Sequence, residues 1–497
     1  MAELERHDIQ GIVISSYIHL SCAAYVLLRI TDTDSARRWL AGISAEITTA
    51  QGKQEGSSTN IAFTYSGLAR LGLDQEALKT FSRPFIEGMA TEYRARILGD
   101  RGDSAPKFWR WGNSNCEQAQ ENNPNPPVDI LLLLYAEDEP RLAAEIERRR
   151  AGFAAGGGVE EIMLLEAGRQ PDTKEHFGFN DGIGQPVIAG SGKKERQQRR
   201  TQHATELPAG EFLMGYSNDY DVIAEGPFVE PERDPGNLLP VIPPNTQSLY
   251  DPAGMHDLGR NGSYLVFRQM AQHVADFWQF LDAATRGPDN TSDPEATTRL
   301  GAKFVGRWPS GAPLALHPDR DPHAQDGKLT NENNFGYAQI DASGFGCPVG
   351  SHVRRANPRD SLAADPEVAR RSANRHRIMR RGRSYGTRQP DRLVDDGVER
   401  GLHFICVNSD IERQFEFVQL TWINNPAFGG LYNEVDPVIG NLDRTDGVMT
   451  IQCDPLRTRV HNLRRFITVR GGAYFFLPGV KALRYLAALT ATPTVAD

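Results

Sequence analysis

Between Val353 and Gly386 the chain carries ten arginines against three carboxylates, Asp360, Asp365 and Glu367, although its overall formal charge is −9. A solvated basic loop is the ordinary use of such a run. Nucleic acid is a poor match, because Tyr385 is the only aromatic there to stack on a base. A pocket for a compact anion fits better, since guanidinium forks meet carboxylates and phosphates through two parallel hydrogen bonds. His352 heads the run, in a Gly- and Pro-shaped loop from Cys347, beside Arg354, Arg355 and Arg359. A lone histidine is usually a satisfied structural residue. As a metal ligand it would need an acceptor for its second ring nitrogen, and the segment after residue 409 offers Asp410, Glu412 and Glu416.

The second candidate is Asp181, in a loop with Gly178, Gly182 and Gly184. Glycines let a backbone pass close to a flat ligand without Cβ obstruction. An aspartate in such a loop also commonly bonds its own backbone, so the residues alone leave both uses open. Gly382 to Gly386 matches G-x-S-x-G around Ser384. A nucleophile elbow needs a strand before its serine and a helix after it. The Arg-rich stretch 375–381 and the Thr387 to Pro390 stretch supply neither, so a hydrolase is not supported. There is no H-E-x-x-H, phosphate-binding loop or dinucleotide fingerprint. Five scattered cysteines without C-x-x-C argue against a disulfide scaffold, a cysteine zinc site and covalent c-type haem attachment.

The elements that must position these residues alternate along 497 residues, enough for two to four domains at about 150 residues each. In the first half, strands are expected over 22–30, 60–65, 128–136 and 160–166. Helices are expected over 32–43, 67–73 and 141–150, the last capped by Asp138. In the second half, a strand over 262–268 runs into a helix whose apolar positions are Met270, Val274, Phe277, Trp278 and Leu281. A strand over 402–407, a helix over 410–422, strands over 466–469 and 474–476 and a helix over 480–489 follow. The β-α-β-β-α-β order implies a ferredoxin-like α+β unit, repeated once, with domains at 1–175 and 176–497. The excess of 47 glycines and 31 prolines sits in long loops, which are usually functional. One of these carries the basic stretch 193–200, read as a solvated loop. The first residues lack a basic-then-apolar signal pattern, and the apolar runs are too short to cross a bilayer. With the acidic balance, this reads as a cytoplasmic protein with neither a nucleic-acid nor a membrane partner.

Together these pieces resemble the dye-decolourising (DyP-type) haem peroxidases, and in particular their larger, loop-expanded members. The family's G-x-x-D-G motif appears as Gly178 to Gly182, its proximal-histidine motif as His352 to Arg359, and its distal-arginine segment as Arg377 to Gly386. Further matches at 60–73, 261–268, 402–417 and 470–477 keep the family's order. The resemblance implies two ferredoxin-like units sandwiching one non-covalent haem b. His352 would bind the iron with Glu412 as its anionic partner. Gly182, Ile183, Arg354, Arg359, Leu402 and Phe404 would contact the haem. Asp181 would shuttle the proton of hydrogen peroxide and Arg380 would stabilise developing charge, with Arg381 the fallback if the register is one residue off. Dyes, phenols and similar small aromatic donors would supply electrons. Trp308, Tyr337, Trp422 and Tyr432 are candidate relays to the surface. Ser384 stands where many members carry proline. The alternative from another class is a haem carrier on the same scaffold, which would have no use for Asp181 and Arg380.

A carboxylate base stays ionised to lower pH than an imidazole. Turnover should therefore persist in acid, as a rate profile against pH will show; a single inflection near neutrality would count against Asp181.

Overall fold

The computed structural model describes residues 3–52, 54–120, 125–192, 205–248, 252–444 and 447–489; the basic stretch 193–200 and the C-terminal end lie outside them. The first sheet contains β1 (Cys22–Ile30), β2 (Ser57–Phe63), β3 (Ile130–Ala136) and β4 (Val159–Gly168). Their spatial order is β4-β1-β3-β2, the fourth-first-third-second arrangement of a ferredoxin-like unit. Its helices are α1 (Thr33–Ser44) and α2 (Glu139–Ala154). Each starts where a side chain can satisfy a free amide: Asp32 accepts from Ser35 N–H and Asp138 from Arg141 N–H.

The second sheet repeats the pattern with β5 (Ser263–Gln272), β6 (Met379–Arg380), β7 (Arg383–Tyr385), β8 (Gly401–Asn408) and β9 (Ile467–Leu477). The order is β9-β5-β8, with β6 and β7 both pairing β8. All these pairings are antiparallel. The two sheets also pair with each other, through Ser384 opposite Gly168 and Phe476 opposite Phe63. With β8 bonded to β5, the strands close into a ring.

Side-chain alternation assigns the two faces of the ring. Tyr25, Leu27, Leu131, Leu133, Leu265, Phe267, Ile405 and Val407 fill the space between the sheets. Their neighbours Val26, Leu28, Ile130, Leu132, Val266 and Cys406 face outward into the core under the helices. Both faces are buried, which is why these strands read as unbroken apolar runs.

Three elements differ from expectation. Met270 belongs to β5, and the helix α3 begins at Val274 and runs to Thr285. The Gly471-Gly472 pair does not split the last strand: β9 is continuous, with a register shift between Val469 and Gly471. A Cβ at Gly471 would strike the Trp111 ring, so glycine there permits packing rather than marking a turn. The segment after β8 winds as π-helix over Glu412–Glu416 and Val418–Ile423, with Glu416 N–H bonding Ile411 O.

Leu133 is fully buried between the sheets, whereas Val394 is exposed. Leu133→Ala should cost about 2–5 kcal/mol in urea unfolding, and Val394→Ala no more than about 0.5 kcal/mol. Equal costs would contradict the closed core.

Candidate active site

The pairing of residues 379–385 with β8 keeps one register: Met379 lies opposite Val407, Arg380 opposite Cys406 and Arg383 opposite His403. Side chains therefore alternate without interruption. Met379, Arg381 and Arg383 turn into the ring. Arg381 donates to Ile12 O and Val13 O, both at 2.6 Å, and Arg383 to Ser16 O and Tyr17 O at 2.8 and 2.9 Å. Arg380 turns outward. Its guanidinium donates to Asp181 Oδ1 at 3.1 Å and Ile183 O at 3.0 Å, and its amide to Gln185 Oε1 at 3.1 Å. The Arg381 guanidinium is thereby committed to the carbonyls of Ile12 and Val13.

Asp181 projects from a turn whose Gly178 and Gly182 have φ of 93° and 81°, values that favour glycine. A Cβ at either position would meet nothing within 4 Å, so open space stands before the turn. Asn180 ties it to Thr330 O at 3.2 Å. Asp181, Gly182, Ile183, Arg380 and Leu402 line a cleft of about 450 Å³ beside the seam with β4. Phe404, two residues along the same face as Leu402, packs on Phe415 instead.

His352 opens the short helix His352–Ala356. Its Nδ1 donates to Asp436 Oδ2 at 2.9 Å, which leaves Nε2 as the nitrogen able to bind a metal. The expected partner Glu412 is a correction. Glu412 sits at the solvent end of the π-helical segment, beside a separate hollow with Ser82 and Arg413. The inward carboxylate of that segment, Glu416, is taken by Arg94 and Tyr474, each at 2.7 Å. Asp436 comes instead from a loop with no periodic signature, 84 residues beyond His352. Its other oxygen accepts Val438 and Ile439 N–H at 2.9 Å. Burial pushes the His352 ring toward neutrality, but the Asp436 charge and hydrogen bond outweigh it, and its affinity for a proton ends above the usual value. Asp436 moves the opposite way: burial raises it, and the facing imidazole carries it below the usual carboxylate range. Asp181 and Arg380 also act electrostatically on His352.

The arginines divide into two kinds. Arg354 is not free for a ligand: its guanidinium donates to Asp341 O and Cys347 O at 3.0 and 2.8 Å and stacks on Tyr337. Arg355 binds Gly350 O, Trp422 O, Asn425 O and Glu434 O, joining the His352 helix to the loop that carries Asp436. Arg359 donates to Asn333 O and Phe335 O, yet its buried Nε has no partner. Around it, burial and then the charge of Arg359 push Arg307 down to about 10, and burial with Arg359 and Arg380 pushes Arg377 down to about 9. This is a corner with excess positive charge. Of the aromatic relay candidates, Trp308, Tyr337 and Trp422 are buried, and Tyr432 is 81% exposed.

Removing one partner of a buried pair strands the other charge. Asp436→Ala should cost about 3–5 kcal/mol in denaturant titration, against no more than about 0.5 kcal/mol for the exposed Glu412. A comparable loss in Glu412→Ala would return the partner role to Glu412.

No family model matches the chain. It is 29% identical to a dye-decolorizing peroxidase of Mycena epipterygia, over 87% of this chain and 76% of that protein. It is 28% identical to dye-decolorizing peroxidase msp1 of Mycetinis scorodonius, over 97% of this chain and 88% of that one. Among solved structures, an ancestral D-type dye-decolorizing peroxidase superposes with a TM-score of 0.73 at 27% identity, covering 97% of this chain and 99% of its own. A dye-decolorizing peroxidase solved with 2,6-dimethoxyphenol shares the fold at 24% identity, with a TM-score of 0.75. Agreement over the full length in both sequence and fold is what separates common descent from a chance motif. In sequence and fold the chain is similar over its full length to dye-decolorizing peroxidases, and it is a haem peroxidase.

Proposed function

We propose that the chain oxidises dyes, phenols and similar one-electron donors with hydrogen peroxide. In this reading Asp181 is the distal acid and base, Arg380 the charge stabiliser and His352 the iron ligand. The observation that carries it is the Asp181–Arg380 pair, open to the cleft and within electrostatic reach of a histidine whose far nitrogen is braced by Asp436. All these side chains belong to the second of two units, which we divide at 1–175 and 176–497.

The residues fit a non-covalently held haem b, one per chain. Open space stands before Gly182. Arg359, with an orphaned Nε, and Arg377 form a cationic corner suited to the two haem carboxylates. Among the described residues no group of three or more His, Cys, Asp or Glu could hold a metal ion by itself. Gly182, Ile183 and Leu402 would line the distal side of the haem. When bound, haem would supply the iron that peroxide oxidises and the store of oxidising equivalents that donors then reduce.

The chain's own residues do the rest. Asp436 holds the Nδ1 proton of His352 and makes Nε2 a stronger donor. Asp181 takes the proton from the inner peroxide oxygen and returns it to the outer one, which leaves as water. Arg380 holds its charge where negative charge develops as the O–O bond stretches. It needs no reorganisation, because Gln185 and Ile183 already fix it. The exposed side chains of Ile18 and Leu329 at the cleft mouth offer an apolar rim to aromatic donors.

One equivalent of peroxide should shift the Soret band of the haem-loaded protein within mixing time. Asp181→Asn and Arg380→Leu should slow that shift by about 10²–10⁴-fold. Wild-type rates in both variants would overturn the assignment, and a Soret band indifferent to peroxide in the parent protein would favour a carrier.

A further inference from the structure

Glu175 lies in the wall of the same cleft as Asp181, and its carboxylate is bound in an unusual way. It accepts from Phe177 N–H and Phe179 N–H, both at 2.8 Å, and from the Gln272 side-chain amide at 2.6 Å. Two of these donors belong to the turn that ends in Asp181. The third stands on β5, which is bonded on both sides within the second sheet. The turn closes further through Glu175 N–H to Phe179 O and Gly178 N–H to Glu175 O. The next residue, His176, contacts Tyr385 O at 2.8 Å on the strand that continues from Arg380. The segment thus sets the spacing between Asp181 and Arg380.

The charges around the carboxylate matter as much as the bonds. The three donors are neutral amides. Arg388 donates to the backbone oxygen of Glu175 at 3.2 Å and to Asp172. Lys174 and His176 flank it in sequence, and burial keeps the His176 ring neutral, down to about 4. From across the turn the charge of Asp181 opposes that of Glu175. Burial chiefly, with Asp181 adding to it, pushes Glu175 up to about 6 despite the three hydrogen bonds. A complementary feature stands opposite. Gln272 Oε1 is buried and has no partner. Turning that amide over would present Oε1 as an acceptor to a protonated Glu175.

We propose that Glu175 is a positioning residue that holds the Asp181 turn and is neutralised on acidification, with the Gln272 amide oxygen turning to accept the hydrogen bond of its O–H. The inference rests on Asp181 being the distal base. Two like charges sharing one wall lose protons in separate steps. The proton comes from solvent, and no bond other than O–H is made or broken.

The test is infrared difference spectroscopy of the haem-loaded full chain across acid pH, following the C=O stretch of a protonated carboxylic acid. A component with a midpoint near 6 is expected in the parent protein, separate from that of Asp257, which burial pushes up to about 7. It should vanish in Glu175→Gln and move to lower pH in Asp181→Asn, where the opposing charge is gone. A second readout needs no haem. The folded value lies above the ordinary 4.5, so the contribution of Glu175 to stability is complete below about 4.5 and is lost as pH rises through about 6. Thermal midpoints of the haem-free chain should show that fall, and Glu175→Gln should lack it. A component with a midpoint near 6 that survives in Glu175→Gln, or that Asp181→Asn leaves in place, overturns the proposal. Normal peroxide reactivity in Asp181→Asn with the infrared shift intact would instead fault the assignment of the distal base.

Discussion

The antiparallel register between residues 379–385 and β8 is the constraint on which the site depends. Arg380 and Arg381 are chemically identical neighbours, and alternation alone separates their fates. One residue of slip would exchange them, turning the Arg381 guanidinium toward Asp181 and that of Arg380 toward the carbonyls of Ile12 and Val13. The register is held from both sides. Arg381 and Arg383 anchor five backbone carbonyls of the N-terminal segment. Gly382 lies so close to β8 that a Cβ would reach His403 O at 2.6 Å. Ser384 joins the ladders of β4 and β8 at the seam, where proline would lack the backbone donor. The first unit therefore supplies carbonyls that pin the strand presenting Arg380, although it supplies no proposed catalytic side chain itself.

Electrostatics then give the cleft its character. Burying guanidinium groups without matching carboxylates is costly, and Arg307, Arg359 and Arg377 bear that cost through lowered proton affinity. The arrangement becomes economical once a dianionic edge arrives. On the other side the logic is reversed. Asp436 and His352 are matched, and Arg355 locks the two elements that carry them without offering its own charge to the pair as a hydrogen-bond donor. A cation-rich wall and a braced imidazole are complementary demands of one flat, carboxylated, metal-bearing ligand.

Much of the fold was legible because its signals are local. Asp32 and Asp138 announce helix starts, and the runs at 22–30 and 130–136 are too apolar for anything but a sheet covered on both faces. His352, Asp181 and Arg380 were legible as motifs, each with charged or glycine neighbours at short range. What escaped reading depends on contacts distant in sequence. Asp436 reaches His352 from a loop whose shape is set by Arg355 and by its own amide bonds. Glu175 looks like any acidic residue before a turn until Gln272 is brought against it. Arg354 looked like an anion binder, yet Asp341 and Cys347 claim it. The π-winding after β8 turns Glu412 to solvent, and nothing in the residue pattern of 410–422 distinguishes it from an ordinary helix.

The claim most exposed to test is that Arg380, and not Arg381, points its donors at the sixth coordination position of the iron. Fluoride binding to the ferric haem-loaded protein reports this directly, because a bound anion is stabilised by a distal donor. A hydrogen bond to a charged group contributes about 1.5–3 kcal/mol, so Arg380→Leu should weaken fluoride binding about tenfold or more and shift its charge-transfer band. Arg381→Lys should lower stability and leave that band and affinity unchanged. Fluoride affinity that follows Arg381 and ignores Arg380 would contradict the register on which the account stands.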